Sequence, residues 1–239
     1  MAERSVISIG NFDGVHRGHQ ALIRCARAKA DAIGGRVVAM SFAQHPVTLL
    51  RPDHVPPRLS SNAQRERYLH DAGADEVHWL RPTRELLSLE PRAFVEQIVM
   101  PWSPAAVVEG ENFFFGRKRS GTIHTLEQLG REMGFETLIE PIKTITLRDK
   151  TVAPLSSSLI RWLVGHGRMA DVAIGLDRAY AVAGPVRVGR QRGRLMNMPT
   201  ANIDPADQLL PADGVYAGYG MVGQTTYLAA ISVGTNATF

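Results

Sequence analysis

The chain opens as a succession of short apolar runs and longer amphipathic stretches. Val6–Ile9 is apolar without alternation, as a strand buried on both faces requires, and residues 20–32 carry apolar side chains at helical spacing up to the stop signal Gly34-Gly35. Arg36–Phe42 reads as a second buried strand. Residues 51–58, with prolines at 52, 56 and 57, predict a flexible loop. Ser61 and Gln64 form the two ends of a capping box, opening a helix that runs to about Gly73. Glu76–Leu80 predicts a strand, 91–99 a helix with Pro in its first turn, and 105–109 a strand. Residues 122–133 predict a helix closed by Gly134, and 136–142 a strand. Strand and helix in alternation predict an α/β fold with a parallel sheet and helical crossovers. A further helix starts near Ser156 and continues over 162–176, broken at Gly165-His166-Gly167. Beyond Asp177 glycines recur at short intervals among β-branched residues without helical period, which predicts antiparallel strands in a barrel. Two domains are expected, 1–177 and 178–239.

The turn after the first strand concentrates the chemistry. Gly10, Gly14 and Gly18 interrupt regular structure just before a helix, where backbone N–H groups and the positive end of the helix dipole bind phosphate well. The turn has no Gly-x-x-x-x-Gly-Lys and no Gly-x-Gly-x-x-Gly, so neither a P-loop nor a dinucleotide fingerprint is present. It carries His16 and His19, spaced so that both imidazoles face one way. Such a pair can donate hydrogen bonds to a polyphosphate and stabilise charge passing to a pyrophosphate leaving group. Late in the domain, Ser156, Ser157 and Ser158 supply an N-cap and hydroxyls for phosphate oxygens, and Arg161 projects from the same first helical turn. His45, at the end of the second strand, could touch a phosphate or cap its own turn. Phe113 and Phe115 are expected to seal the core, and Arg117, Lys118 and Arg119 to add positive charge nearby.

Composition narrows the field. The 239 residues suffice for one large domain or two modest ones, and 44% hydrophobic with 21% charged residues is a globular balance. A net charge of +4 suits an anionic ligand, and the 27 basic residues form no run of the kind found in nucleic-acid tails. Cys25 alone excludes intramolecular disulfides and Cys-based zinc sites. No apolar run reaches the length of a membrane span, and the N-terminus reads as a strand rather than a signal peptide. A cytoplasmic protein with small-molecule substrates, no nucleic-acid or membrane partner, and self-association into a homo-oligomer as an option is expected.

The string Gly-Asn-Phe-Asp-Gly-Val-His-Arg-Gly-His at 10–19 resembles the signature of the prokaryotic bifunctional riboflavin kinase/FAD synthetase family, in its adenylyltransferase half. Gly110, Asn112, Phe113, Phe115 and Gly116 resemble a second family pattern, Pro154–Arg161 a third, and Pro199-Thr200-Ala201-Asn202 the signature of the riboflavin kinase half. The resemblance implies a Rossmann-like nucleotidyltransferase domain followed by a partial barrel. It implies transfer of AMP from ATP to FMN with Mg²⁺, expelling pyrophosphate. Catalysis then falls to His16, His19 and Arg161, and ATP binding to Gly10, Asn11, Phe12, Asp13, Gly18 and Ser156–Ser158. Phe42, His45 and Asn112 would hold flavin, and Thr200 and Asn202 the metal of the kinase half. This chain departs from the family at Gln44, at Met196-Asn197-Met198 and at Ala237. The family runs on past the position of Phe239, through the acidic residue that serves as the kinase base, so the second module is expected to be truncated, and whether it keeps riboflavin kinase activity is left open. A bifunctional kinase/synthetase, a regulatory flavin-binding module and a transferase with another acceptor are the alternatives.

Overall fold

This computed structural model describes residues 4–188 and 200–234. Gly193–Pro199 and the 235–239 end of the second module, both part of the sequence reading, lie outside the described residues.

Five strands form one parallel sheet: β1 (Ser5–Gly10), β2 (Arg36–Phe42), β3 (Glu76–Leu80), β4 (Pro104–Gly110) and β5 (Glu136–Glu140). Their spatial order is β3-β2-β1-β4-β5. The order reverses between β1 and β4, and in such sheets ligands bind in the crevice outside the carboxyl ends at that point. Both faces are covered, which is why the central strands are continuously apolar. On one face Val6, Val37, Ala39 and Ala106 pack against Ile23, Ala26 and Ala30 of helix α1 (Arg17–Ile33) and Leu69 of α2 (Asn62–Asp71). On the other, Ile7, Val38, Met40 and Val107 meet Phe94, Val95 and Val99 together with Leu126 and Leu129 of α3 (Ile123–Met133).

Local signals are met where they were strongest. Ser61 and Gln64 make both bonds of the capping box, and Gly134 closes α3 in the left-handed conformation. α1 starts earlier than its periodicity predicts, because His16 supplies its N-cap. The 91–99 stretch is not one α-helix: after Pro91–Phe94 it widens into a π turn over Val95–Val99, with the Met100 N–H bonded to the Val95 carbonyl. Pro101, which follows, has no N–H with which to continue an α ladder.

Helices α4 (Ser157–Gly165) and α5 (Met169–Leu176) flank the predicted break and share a third core cluster with Leu59, Ile145 and Leu155. Asp177 ends α5 with a φ of 57°. Beyond it lie two antiparallel pairs, Val186–Arg187 with Asn202–Ile203 and the hairpin Gly214–Val222 with Thr225–Val233. These pairs stand as separate sheets, so among the described residues the expected barrel is not closed.

Candidate active site

The β1–α1 turn is wound unusually tightly. Phe12, Gly14 and Val15 all have positive φ, at 47°, 77° and 39°. For a β-branched residue such as Val15 this is a true outlier, costing on the order of 1–3 kcal/mol, and it persists only where the surroundings impose it. The surroundings do. Phe12 is buried, the Val15 N–H bonds the Phe12 carbonyl at 3.0 Å, and Gly14 N–H donates to the Ser60 hydroxyl at 3.0 Å. Arg178 donates to the carbonyls of Gly14 and Val15, and Gln20 donates to Val15 as well. The turn is thus held from both sides: its Gly14 and Val15 carbonyls are tied backward, and the N–H groups of the same two residues are bonded within the protein.

His16 and His19 stack with ring centroids 3.7 Å apart and planes 18° from parallel. The His16 Nδ1 accepts the His19 N–H, so the proton of the neutral His16 ring sits on Nε2. Gly18 makes this possible, since a Cβ there would stand 3.0 Å from the His16 ring. Burial lowers the His16 pKa to about 4, and burial followed by the neighbouring His16 and arginines holds His19 well below its ordinary value. Both imidazoles are therefore neutral at pH 7, and each carries one ring N–H without a positive charge. The His19 Nδ1 is buried and bonded to no group among the described residues, and so is the Asn11 Oδ1. Buried polar atoms without partners are uncommon and call for an explanation.

Asp13 organises the charge. Its carboxylate accepts the Leu59 and Ser60 N–H groups at 3.0–3.1 Å and the Arg161 Nη2 at 2.6 Å, while the Ser157 hydroxyl donates to its backbone carbonyl. The Arg161 Nε donates to the Pro57 carbonyl at 2.8 Å. Arg161 is thus anchored to the turn and to the proline loop, rather than projecting freely from α4. Ser156 caps α4 by accepting the Leu159 N–H, and Ser158 is exposed.

A cavity of about 390 Å³ opens beside this cluster, walled by Asn11, Asp13, His45, Arg65, Arg161 and the Val55–Arg58 part of the proline loop. The two readings of His45 coexist: its Nδ1 accepts the Val47 N–H at 3.1 Å, capping the turn, while the residue lines the cavity. Burial lowers its pKa too. Gly10 stands close under the Phe12 ring, at the mouth of the turn. Phe42 packs partly buried against the core, and Asn112 is exposed; neither lines the cavity. Phe115 is buried and Phe113 stacks on it at 5.4 Å, as sealing residues should, while Phe114 is exposed under Arg119. Thr200 and Asn202 are exposed, Asn202 opposite Arg187 in its strand pair.

Three residues of consequence were not singled out in the sequence. Arg65 is buried, bonds the Ser41 hydroxyl and the Phe42 carbonyl, lies 4.0 Å from Asp13, and has its pKa lowered to about 10 by burial. Arg178, over the Tyr68 ring at 3.6 Å, holds the turn from behind. Glu109 is the last residue but one of β4, beyond the paired residues of β1 and β4, and its buried carboxyl accepts the Ile9 N–H at 2.5 Å. Burial raises its pKa well above the ordinary value. Their types gave no signal, because an arginine in a polar stretch, or a glutamate at the end of an apolar strand, reads as surface. Arg65 and Arg161 face one carboxylate, Asp13, and this surplus of positive charge suits a polyphosphate.

The FAD synthetase family model matches residues 1–154, and the riboflavin kinase model residues 176–239. The chain belongs to the FAD synthetase family. Relatives include the bifunctional riboflavin kinase/FMN adenylyltransferase of Escherichia coli K12, 31% identical over 99% of this chain and 74% of its own length. The corresponding Bacillus subtilis protein is 30% identical over 99% of this chain and 73% of its own. A crystal structure described as a macrolide-efflux protein from Streptococcus pneumoniae superposes on all of this chain and 77% of its own, with a TM-score of 0.88 and 29% identity. This member of the FAD synthetase family thus spans about three quarters of the length of these relatives. No helix among its described residues is long and apolar enough to cross a membrane.

Proposed function

We propose that the chain is an FMN adenylyltransferase, transferring AMP from ATP to FMN. An oxygen of the FMN phosphate attacks the α-phosphorus of ATP, a new P–O bond forms, and the bond to the bridging oxygen breaks to release pyrophosphate. The substrate brings its own charged nucleophile, so the protein need only position and stabilise. The observation that carries this reading is the stacked, neutral His16–His19 pair on a strained phosphate-type turn. The His16 Nε2–H and a ring N–H of His19 serve as donors to the phosphoryl oxygens, and Arg161, held by Asp13, balances charge collecting on the pyrophosphate.

The roles of Gly10, Asn11, Phe12, Gly18 and Ser156–Ser158 in holding ATP, and of Phe42, His45 and Asn112 in holding flavin, belong to the same reading. His45 has the best support of the three flavin residues, since it alone of them lines the cavity. Asp13 acts as the clamp for Arg161 rather than as a ligand group, because its oxygens are already taken. Mg²⁺ enters as part of the nucleotide substrate. Among the described residues no group of three His, Cys, Asp or Glu could hold a metal. Thr200 and Asn202 offer neutral oxygens of the type Mg²⁺ accepts. The division at 177/178 is supported by the left-handed stop at Asp177. A cytoplasmic location and action on free nucleotides, with no nucleic acid, complete the reading.

Riboflavin kinase activity is the second reading, favoured by the match over 176–239. One chromatographic assay separates the two: the chain with ATP and Mg²⁺ receives FMN in one tube and riboflavin in the other. FAD in the first tube is expected, falling roughly a hundred-fold or more in His19→Ala. No FAD there, or turnover untouched by His19→Ala, contradicts the assignment. FMN in the second tube would establish the kinase.

A further inference from the structure

The segment Arg58–Ser60 lies between two parts of the chain far apart in sequence. On one side its N–H groups bind Asp13: both Leu59 and Ser60 donate to that carboxylate. On the other side it is gripped by residues of the C-terminal segment. The Gln208 amide donates to the Leu59 carbonyl at 3.0 Å and to the Ala181 carbonyl at 2.7 Å, and its oxygen accepts the Ala183 N–H. The Leu209 N–H donates to the Arg58 carbonyl at 2.7 Å, and Arg58 pairs with Asp207 at 3.2 Å. Gln208 is buried, with 7% of its surface exposed, although it sits in an otherwise open part of the fold. Asp207, its neighbour, forms part of the cavity wall. Leu59 itself packs so closely under Gly14 that a Cβ at Gly14 would lie 2.9 Å from it.

A buried side-chain amide making three hydrogen bonds within a loop is costly to place, and each bond is lost at a penalty if its partner goes. Here the bonds fix the strap, the strap fixes both oxygens of Asp13, and Asp13 fixes the Arg161 guanidinium beside the cavity. We propose that Gln208 is a positioning residue for adenylyl transfer, through which the C-terminal segment completes the site on the parallel-sheet domain. This rests on the proposed transfer activity. It follows that the C-terminal segment contributes to FAD formation independently of any kinase chemistry of its own.

The test uses the full chain with Gln208→Met, which loses all three bonds, and Gln208→Glu, which keeps the shape but sets a carboxylate against two carbonyls. Two readouts are taken. Amide hydrogen exchange at Leu59 and Ser60 should accelerate in both variants while β1 and β2 stay protected. In steady-state assays kcat for FAD formation should fall roughly ten-fold to a hundred-fold, as displacement of a charge-stabilising group by a fraction of an ångström does. KM for ATP and FMN should change by less than about three-fold, because the loss is confined to the transition state. Combined with Arg161→Lys, the Gln208 substitutions should cost little further, since both act through one guanidinium. Unchanged exchange at the strap, unchanged kcat, or full additivity with Arg161→Lys would each overturn the proposal. If the unaltered chain makes no FAD, the transfer reading fails and with it the role of Gln208 in transfer, whereas normal turnover insensitive to both variants refutes Gln208 alone.

Discussion

Arg161 donates to Asp13 across 148 positions of sequence, at 2.6 Å, and this contact joins the first turn of the sheet domain to its last helices. The side chains are nearly withdrawn from solvent, at 15% and 7% exposure, and Asp13 is satisfied on its remaining faces by the Leu59 and Ser60 N–H groups. A pair so enclosed adds little over an apolar substitute, but removing one member strands the other.

Asp13→Asn should accordingly destabilise the chain by about 3–5 kcal/mol, seen as a lower urea midpoint at unchanged slope. FAD formation should fall with it even where the variant is fully folded, because Arg161 loses its tether. A variant of normal stability would show that the pair contributes no more than a surface contact.

The His16 pKa, lowered by burial to about 4, has a consequence for folding. In the unfolded chain the ring takes up a proton near its ordinary value of 6.5, while the folded protein refuses it until about pH 4. Between those values the unfolded state binds more protons, so stability falls as pH drops from about 6.5 toward about 4. His19 acts in the same direction. His16→Asn, whose amide oxygen can replace Nδ1 as the capping acceptor, should flatten this slope in melting curves taken across that window; an unaltered slope would mean that His16 is not neutral in the fold.

Gly18→Ala sets two effects against each other. Alanine favours a helix over glycine by about 1 kcal/mol, but its Cβ would stand 3.0 Å from the His16 ring. Overall melting should therefore change little, while the displaced imidazole costs activity roughly ten-fold or more. Equal activity would imply that the ring has room to move without consequence.

Glu109 titrates with the opposite sign. Burial raises its pKa well above 4.5, so the folded chain holds a proton that the unfolded chain has released. Its contribution is fully present below about pH 4.5 and is lost as pH rises toward the folded value. Glu109→Gln, which keeps an acceptor for the Ile9 N–H, should raise the melting temperature at pH 8 and leave it nearly unchanged at pH 5. A drop at pH 8 would show that a charged carboxylate is required there.

The sequence was most informative where short-range rules act alone. Val6–Ile9 and Arg36–Phe42 are legible because a strand covered on both faces favours apolar side chains, whereas Glu76–Leu80, at the sheet edge, alternates Glu76 and His78 with apolar neighbours. The capping box of Ser61 and the left-handed stop at Gly134 likewise depend on neighbours a few positions away. His16, His19 and Arg161 could be selected from their spacing and their resemblance to a family pattern. Their partnerships could not. That Arg161 meets Asp13, that Arg65 and Arg178 are buried, and that Gln208 reaches Leu59 all depend on chain crossings with no local signature. The π turn at Val95–Val99 was hidden for a different reason, since its residues have ordinary helical periodicity and the cause lies downstream at Pro101.

The most direct test of the central claim follows the phosphorus. The chain is incubated with FMN, Mg²⁺ and ATP labelled either in the α- or in the γ-phosphate, and flavins are separated from phosphates. Adenylyl transfer predicts label in FAD only from α-labelled ATP, and γ-label in pyrophosphate in equal amount to the FAD formed. Label entering flavin from the γ-position alone, or hydrolysis of ATP with no labelled flavin, would contradict it.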